Sequence, residues 1–325
     1  MKAVLCTDAG DVSVLHLGDH PEPELKDGQI RIGVRASGVN RADILQRRGL
    51  YPPPSGENDI LGLEVAGEVL EAAKRVRGWK PGDRVMALVG GGGYAAEVCV
   101  DSKLAMPLPA NLSFEQGAAI PEAFITAHLN LFTLGHAIAE STVLVHAGAS
   151  GVGTAAIQML RRIRARVFAT VGSAEKAEAI SALGALAIIY RVQNFEEIIR
   201  HETEGRGVDI ILDSIGAGYL SPNLRSLATD GRLIQIGLMG GRQDQVDLGL
   251  LLHKRLQLIG STLRPLPLPR KRAAVAAFES QFLASFESGD LRPVVDRAFS
   301  IESVREAHAH MEANRNIGKI VLRWT

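Results

Sequence analysis

The chain has 325 residues, 46% of them hydrophobic, with 36 basic and 36 acidic side chains and therefore no formal net charge. That length and apolar content can bury a large core in about two domains, and the charge balance argues against bulk binding to nucleic acid or an anionic membrane. The two cysteines, Cys6 and Cys99, are far apart and lack metal-ligand spacing, which argues against a disulfide framework or a Cys-rich zinc site and fits a reducing compartment.

The first residues, Met1 to Asp8, lack the apolar core of a signal peptide, and no apolar run approaches membrane-spanning length, so a cytoplasmic protein is expected. Short strands follow at Ile30–Arg35, Leu63–Leu70 and Asp83–Val89, punctuated by turn signals at Tyr51–Gly56 and Lys80–Asp83. Gly90–Gly93 lacks the Gly-Lys-Ser/Thr ending of a P-loop and reads as a hairpin turn into Tyr94–Glu97. From about residue 122 to 263 strands alternate with helical stretches, at 143–147, 166–171, 186–190, 208–213, 231–236 and 256–260. Such alternation implies parallel crossovers and a doubly wound sheet. Pro265–Arg270 breaks the pattern, an amphipathic helix follows, and Ile317–Leu322 looks like a final strand. No internal repeat or low-complexity segment occurs.

The richest stretch is Val143-Leu-Val-His-Ala-Gly-Ala-Ser-Gly-Val-Gly153, running into the apolar helical pattern Thr154–Leu160. A β-branched run, a glycine turn and a helix start together make a pyrophosphate cradle: the backbone comes close, and free N–H groups at the helix end hold the negative charge. Gly148, Ser150, Gly151, Val152 and Gly153 are the candidate contacts, with Ser150 at the position usually held by the middle glycine. Ser150 is equally a good helix N-cap. The next strand, Arg166–Val171, ends in Gly172 and Ser173, with Lys176 close behind. NAD-preferring folds usually place a carboxylate here for the ribose 2′-hydroxyl. A hydroxyl and an ammonium suit a 2′-phosphate instead, while Glu175 should face solvent from the following helix, so the cofactor is read as NADPH.

Several further signals take ordinary readings. Gly148–Val152 misses the last glycine of a G-x-S-x-G nucleophile elbow, so an esterase reading is poor. His146 reads as a packed strand histidine, and His308 and His310 lack the H-E-x-x-H pattern. Arg161–Arg166 reads as a solvated helix end that complements the dipole. Asp209 and Asp213 flank a strand and are assigned no chemistry.

Ordered together, Ser37-Gly-Val-Asn-Arg-Ala-Asp43, Arg47-Arg-Gly-Leu-Tyr-Pro-Pro-Pro54, Leu61-Gly-Leu-Glu-Val-Ala-Gly67, His146–Gly153, Gly237-Leu-Met-Gly-Gly241 and Met311–Leu322 give the chain a resemblance over its whole length. It resembles the zinc-free quinone oxidoreductases of the medium-chain dehydrogenase/reductase superfamily, the zeta-crystallin-like branch, and within them the tumour-suppressor-inducible group. The resemblance implies an α/β protein. Residues 1–121 and 264–325 would form a GroES-like, β-rich catalytic domain, and 122–263 a Rossmann domain for NADPH. It extends the cofactor contacts to Tyr190, Gly237, Leu238, Met239, Thr262, Leu263 and Asn316, and implies a homodimer. Zinc-dependent relatives carry a ligand cysteine where this chain has Asn40 and a ligand histidine where it has Leu63. Neither replacement suits tetrahedral zinc, so no metal is expected.

On the substrate side the resemblance places Tyr51, Asn40 and Asp43, and leaves Ser150 able to face either substrate or phosphate. The Tyr51 phenol would hydrogen-bond the acceptor oxygen; the plain alternative is a loop tyrosine packed on Pro52–Pro54. For Asn40 and Asp43 the alternative is a turn and helix cap. The expected activity is NADPH-dependent hydride transfer to a quinone or related small electrophile. Two alternatives stay open: reduction of an activated alkene, an enal or enone, and a low-turnover nucleotide-binding protein of crystallin-like or RNA-associated type. Zero charge and the lack of a basic, aromatic-studded stripe weigh against the RNA role.

Overall fold

In the computed structural model, which describes Met1–Trp324, the chain divides into two compact units, Met1–Ile125 with Arg264–Thr325, and Thr126–Leu263. The first unit begins with β1 (Lys2–Cys6), β2 (Leu15–Asp19), β3 (Gln29–Val39), α1 (Arg41–Arg47), β4 (Glu64–Ala72), β5 (Arg84–Leu88), β6 (Glu97–Asp101), β7 (Ala105–Pro107), α2 (Phe114–Gly117) and the start of α3 (Pro121–His128). The second carries a π-helical turn at Leu129–Leu134, then β8 (Thr142–Val145), α4 (Gly151–Arg162), β9 (Arg166–Val171), α5 (Ala174–Ala182), β10 (Leu186–Ile189), α6 (Phe195–Glu202), β11 (Val208–Asp213), α7 (Leu220–Ser226), β12 (Leu227–Gln235), α8 (Leu248–His253) and β13 (Gln257–Gly260). The chain returns to the first unit for α9 (Leu268–Glu287), β14 (Val295–Ser300), α10 (Val304–Glu312) and β15 (Lys319–Arg323).

The first unit is built on a seven-stranded sheet ordered β14-β15-β3-β4-β5-β7, with β6 also paired to β3 and only β14 and β15 parallel. β3 is its axis because Ile30, Ile32 and Val34 alternate onto one buried face, as a half-buried antiparallel strand requires. The break between Ile125 and Thr126 falls inside α3, whereas the sequence placed it at 121/122. The Phe124 ring, 5.0 Å from Phe286 and 6.3 Å from Phe278, holds this turn of α3 to α9.

The expected hairpin at Gly90–Gly93 does not form: β5 pairs with β4 and β7, and β6 with β3. The glycines serve close packing. A Cβ on Gly91 would stand 2.1 Å from the Asn58 carbonyl oxygen, and one on Gly93 2.8 Å from the Gly62 backbone.

In the second unit all six strands are parallel, ordered β10-β9-β8-β11-β12-β13. The order reverses between β8 and β11, the topological switch point at which doubly wound sheets bind ligands. Leu144, Phe168, Ile211, Leu224 and Leu233 lie in one buried cluster around it. β12 starts at Leu227 instead of 231, with a register shift opposite Val208 and Ile210 that lets the strand pass Asp230 at φ 65°. No helix among the described residues is long and apolar enough to cross a membrane.

Candidate functional site

The glycine turn leaves β8 at the switch point, as its sequence implied. Ser150 is the N-cap of α4, its hydroxyl accepting from the Gly153 N–H at 3.0 Å. The Gly151 and Val152 N–H groups belong to the first helical turn, where no intrahelical acceptor exists. Gly148 and Gly153 admit no side chain: a Cβ would stand 2.7 Å from the Ala169 Cβ and 2.5 Å from the Ala147 carbonyl oxygen, respectively. A bare backbone with free donors at a helix end fits a pyrophosphate.

His146 is the packed residue expected. It is buried, with Nδ1 3.0 Å from the Thr170 hydroxyl and Nε2 2.7 Å from Asn223 Oδ1. Its ring meets Phe195 and Tyr219 edge-on, and burial lowers its pKa, so it stays neutral. Asn223 passes the network to Asp213, whose carboxylate accepts from the Ile215 and Gly216 N–H groups and shapes the turn after β11.

At the end of β9, Ser173 caps α5 by accepting from the Lys176 N–H at 3.3 Å, so its own proton remains available to an acceptor. Glu175 is exposed on the first turn of α5. Tyr190 lies over Gly172, its hydroxyl 3.0 Å from where a Cβ would stand. Leu238 and Met239 are about half exposed on the loop after β12, Gly237 is partly buried, Thr262 is exposed and Leu263 is buried. Asn316, in the other unit, spends its amide on the Gly318 carbonyl at 2.8 Å.

In the first unit Asn40 stands at the N-cap of α1, in a capping box with Asp43. Its Oδ1 accepts from Lys319 Nζ at 2.6 Å and its Nδ2 donates to Glu64 Oε1 at 2.9 Å. Lys319 and Glu64, both buried, form an ion pair at 2.5 Å, and Glu64 Oε2 accepts the Glu122 N–H at 2.8 Å. Burial, reinforced by the Glu64 charge, raises the Glu122 pKa from 4.5 to about 8, so its carboxyl is largely protonated at neutral pH. Leu63 is buried beside Glu64 in sequence, an apolar side chain with no ligand atom.

Asp43 is fully buried and fully used. It accepts from the Asn40 N–H at 2.7 Å, the Gly62 N–H at 3.0 Å and the Tyr94 hydroxyl at 3.2 Å, while burial raises its pKa to about 6. Tyr94 in turn lies 3.2 Å from His308 Nε2, and Arg47 Nη1 lies 3.3 Å from His308 Nδ1. A guanidinium only donates, so protons run in one direction from Arg47 through His308 and Tyr94 to Asp43. Burial and the Arg47 charge bring the His308 pKa down to about 3, keeping it neutral. The Asp43 oxygens brace α1 against Gly62, in keeping with the turn-and-cap alternative.

Tyr51 is half-buried, and burial raises its pKa, so the phenol keeps its proton. Its ring lies beneath the Arg264 guanidinium, 5.7 Å from ring centroid to carbon. Arg264, Glu64, Glu122 and Lys319 were not singled out as functional in the sequence. A signal existed for the last three, since each is a lone charge inside an apolar run, and such charges are seldom buried without a partner.

The alcohol dehydrogenase GroES-like domain family matches residues 26–110, and the zinc-binding dehydrogenase family matches 151–279. An NAD-dependent alcohol dehydrogenase structure is 30% identical, with all of both chains covered and a TM-score of 0.89. The chain belongs to the medium-chain dehydrogenase/reductase superfamily. It has the two-part fold expected, a GroES-like unit and a Rossmann unit. This dehydrogenase/reductase is also similar to the Escherichia coli quinone oxidoreductase complexed with NADPH, at 28% identity, full coverage of both chains and a TM-score of 0.90. Likewise similar is the JamJ enoyl reductase, at 26% identity, 99% and 98% coverage and a TM-score of 0.88. The spectinabilin polyketide synthase system protein NorB of Streptomyces orinoci is 35% identical over 96% of this chain, yet the chain spans only 14% of that protein's length.

Proposed function

We propose that this oxidoreductase uses NADPH to reduce quinones and does so without zinc. The observation that carries the metal-free reading is the pair of replaced ligands. Asn40 is held on both sides by Glu64 and Lys319, and Leu63 offers no donor atom. The Lys319 ammonium already balances the Glu64 carboxylate, so the cluster has no charge deficit for a dication. Tetrahedral zinc needs thiolate, imidazole or carboxylate ligands that neither replacement supplies. Without a metal to polarise the acceptor, electron-poor carbonyl compounds are the apt substrates.

The residues at the switch point fit a nicotinamide dinucleotide. Gly151 and Val152 N–H groups and the Ser150 hydroxyl would hold the pyrophosphate, and Ser173, Lys176 and Tyr190 would surround a ribose 2′-phosphate with donors and no opposing carboxylate. Bound there, the reduced nicotinamide supplies a hydride. The chain supplies orientation and a protonated phenol, Tyr51, to hydrogen-bond the acceptor oxygen. Resemblance to the NADPH-complexed quinone oxidoreductase supports this reading. Resemblance to an enoyl reductase favours a second one, reduction of activated alkenes. NADPH consumption with 1,2- and 1,4-quinones and with an enone, with product analysis, separates them. Turnover of the enone alone selects the alkene reading, and turnover of neither removes both.

A further inference from the structure

Arg264 is 4% exposed, and its two terminal nitrogens, Nη1 and Nη2, are buried without any hydrogen-bond partner. Only Nε is satisfied, donating to the Gly90 carbonyl at 2.8 Å. A guanidinium never loses its charge at physiological pH, and burying a charged donor unpaired is among the costlier features a fold can carry.

The carboxyls that influence Arg264 are Asp43, Glu122 and Glu57. None cancels its charge by direct pairing. Asp43 holds three donors, Glu57 is ion-paired to Lys271 at 3.0 Å, and Glu122 is mostly neutral at pH 7. Gly90 keeps the Glu57 carboxylate close without a side chain between them, since a Cβ there would overlap it. What remains is a fixed fork of two N–H donors and a net positive charge, with the Tyr51 ring 5.7 Å from the guanidinium carbon. Tyr51 is partly exposed at the start of the Pro52–Pro54 loop, and a ligand reaching the fork would have to displace its ring.

We propose that Arg264 Nη1 and Nη2 form the oxyanion-binding subsite of this enzyme. They receive the acceptor oxygen that turns anionic as a hydride is taken up and that is released once solvent protonates it. The ligand class is an oxygen conjugated to a ring or alkene, binding more tightly as phenolate or enolate than as the neutral carbonyl. The identity of that oxygen rests on the quinone reading above; the existence of an anion-selective fork does not.

The probe is 4-nitrophenol, whose colour reports its ionisation. Bound to the unmodified protein in the presence of NADP⁺, it should ionise at lower pH than in water. Arg264→Gln should weaken phenolate binding about 100-fold, and Arg264→Lys, which keeps the charge but not the fork, about tenfold. NADPH affinity, read from nicotinamide fluorescence, should change less than about twofold. Absence of phenolate binding by the unmodified protein, or equal binding by both folded variants, overturns the subsite. Phenolate bound through Arg264 in a protein that reduces no quinone would instead overturn the proposed reaction and leave the subsite standing. Should Arg264→Gln fail to fold, the ionisation shift in the unmodified protein and the lysine variant decide alone.

Discussion

Glu122 gives the site a pH signature of its own. A carboxyl whose pKa rises from 4.5 when unfolded to about 8 when folded binds a proton in the native state that the unfolded state has released. Between those values the native state carries more bound protons, so stability falls as pH rises, and the loss is complete above about 8. Asp43, at about 6, acts in the same direction but is finished at lower pH, and His308, lowered from 6.5 to about 3, affects only the acid side. The interval from 6.5 to 8 therefore isolates Glu122. The urea midpoint of the native protein should decline across it, and Glu122→Gln should flatten that decline. Parallel curves would remove Glu122 from the account. Tyr51 is a different case, because its protonated phenol needs no tuning. Tyr51→Phe removes one donor and keeps the ring over which Arg264 sits. Loss of an essential oxyanion donor can cost roughly 100-fold, but a reactive quinone and available water shrink this to about tenfold or less in kcat/KM for the acceptor. NADPH affinity should not change. Unaltered kinetics for the acceptor would reduce Tyr51 to a loop-packing residue.

Among the elements, the β9–α5 turn carries the coenzyme preference. Ser173 caps α5, and aspartate is as good an N-cap as serine, so Ser173→Asp keeps the helix start and adds only a negative charge. That charge would face the 2′-phosphate, and the preference for NADPH over NADH should fall roughly tenfold or more, with Lys176→Ala producing a smaller drop. Fluorescence titration with both nucleotides checks this, and equal affinities in the unmodified protein would sink the assignment. The turn could be read from sequence because parallel buried strands are β-branched runs and glycine marks where they end: β9 occupies the expected 166–171. Gly90–Gly93 shows the limit of such local reading. A glycine run signals a backbone without side chains, but not whether the reason is a tight hairpin or another loop pressed against it. Here it is the 58–62 loop.

For the whole molecule, alternation and composition revealed two units and their order, whereas the charged heart of the first unit stayed hidden. Glu64 and Lys319 come from opposite ends of the chain, and Arg264 opens the segment that returns to the first unit. Each looks like an isolated charge until β15 pairs with β3 and brings Lys319 beside Asn40 and Glu64. That same cluster decides how the protein should answer to metal removal. A structural or catalytic zinc site contributes its binding free energy to folding or activity, so a chelator would lower the melting temperature, the turnover, or both. In this chain the position of one ligand is an amide already saturated by a lysine and a glutamate, and the position of the other is a buried leucine. Dialysis against a strong chelator should therefore leave the melting temperature and quinone turnover unchanged, and elemental analysis of the purified protein should find well under one zinc per chain. Stoichiometric zinc lost in step with activity would mean that ligands other than these two positions hold a metal, and the mechanism would have to be rebuilt around it.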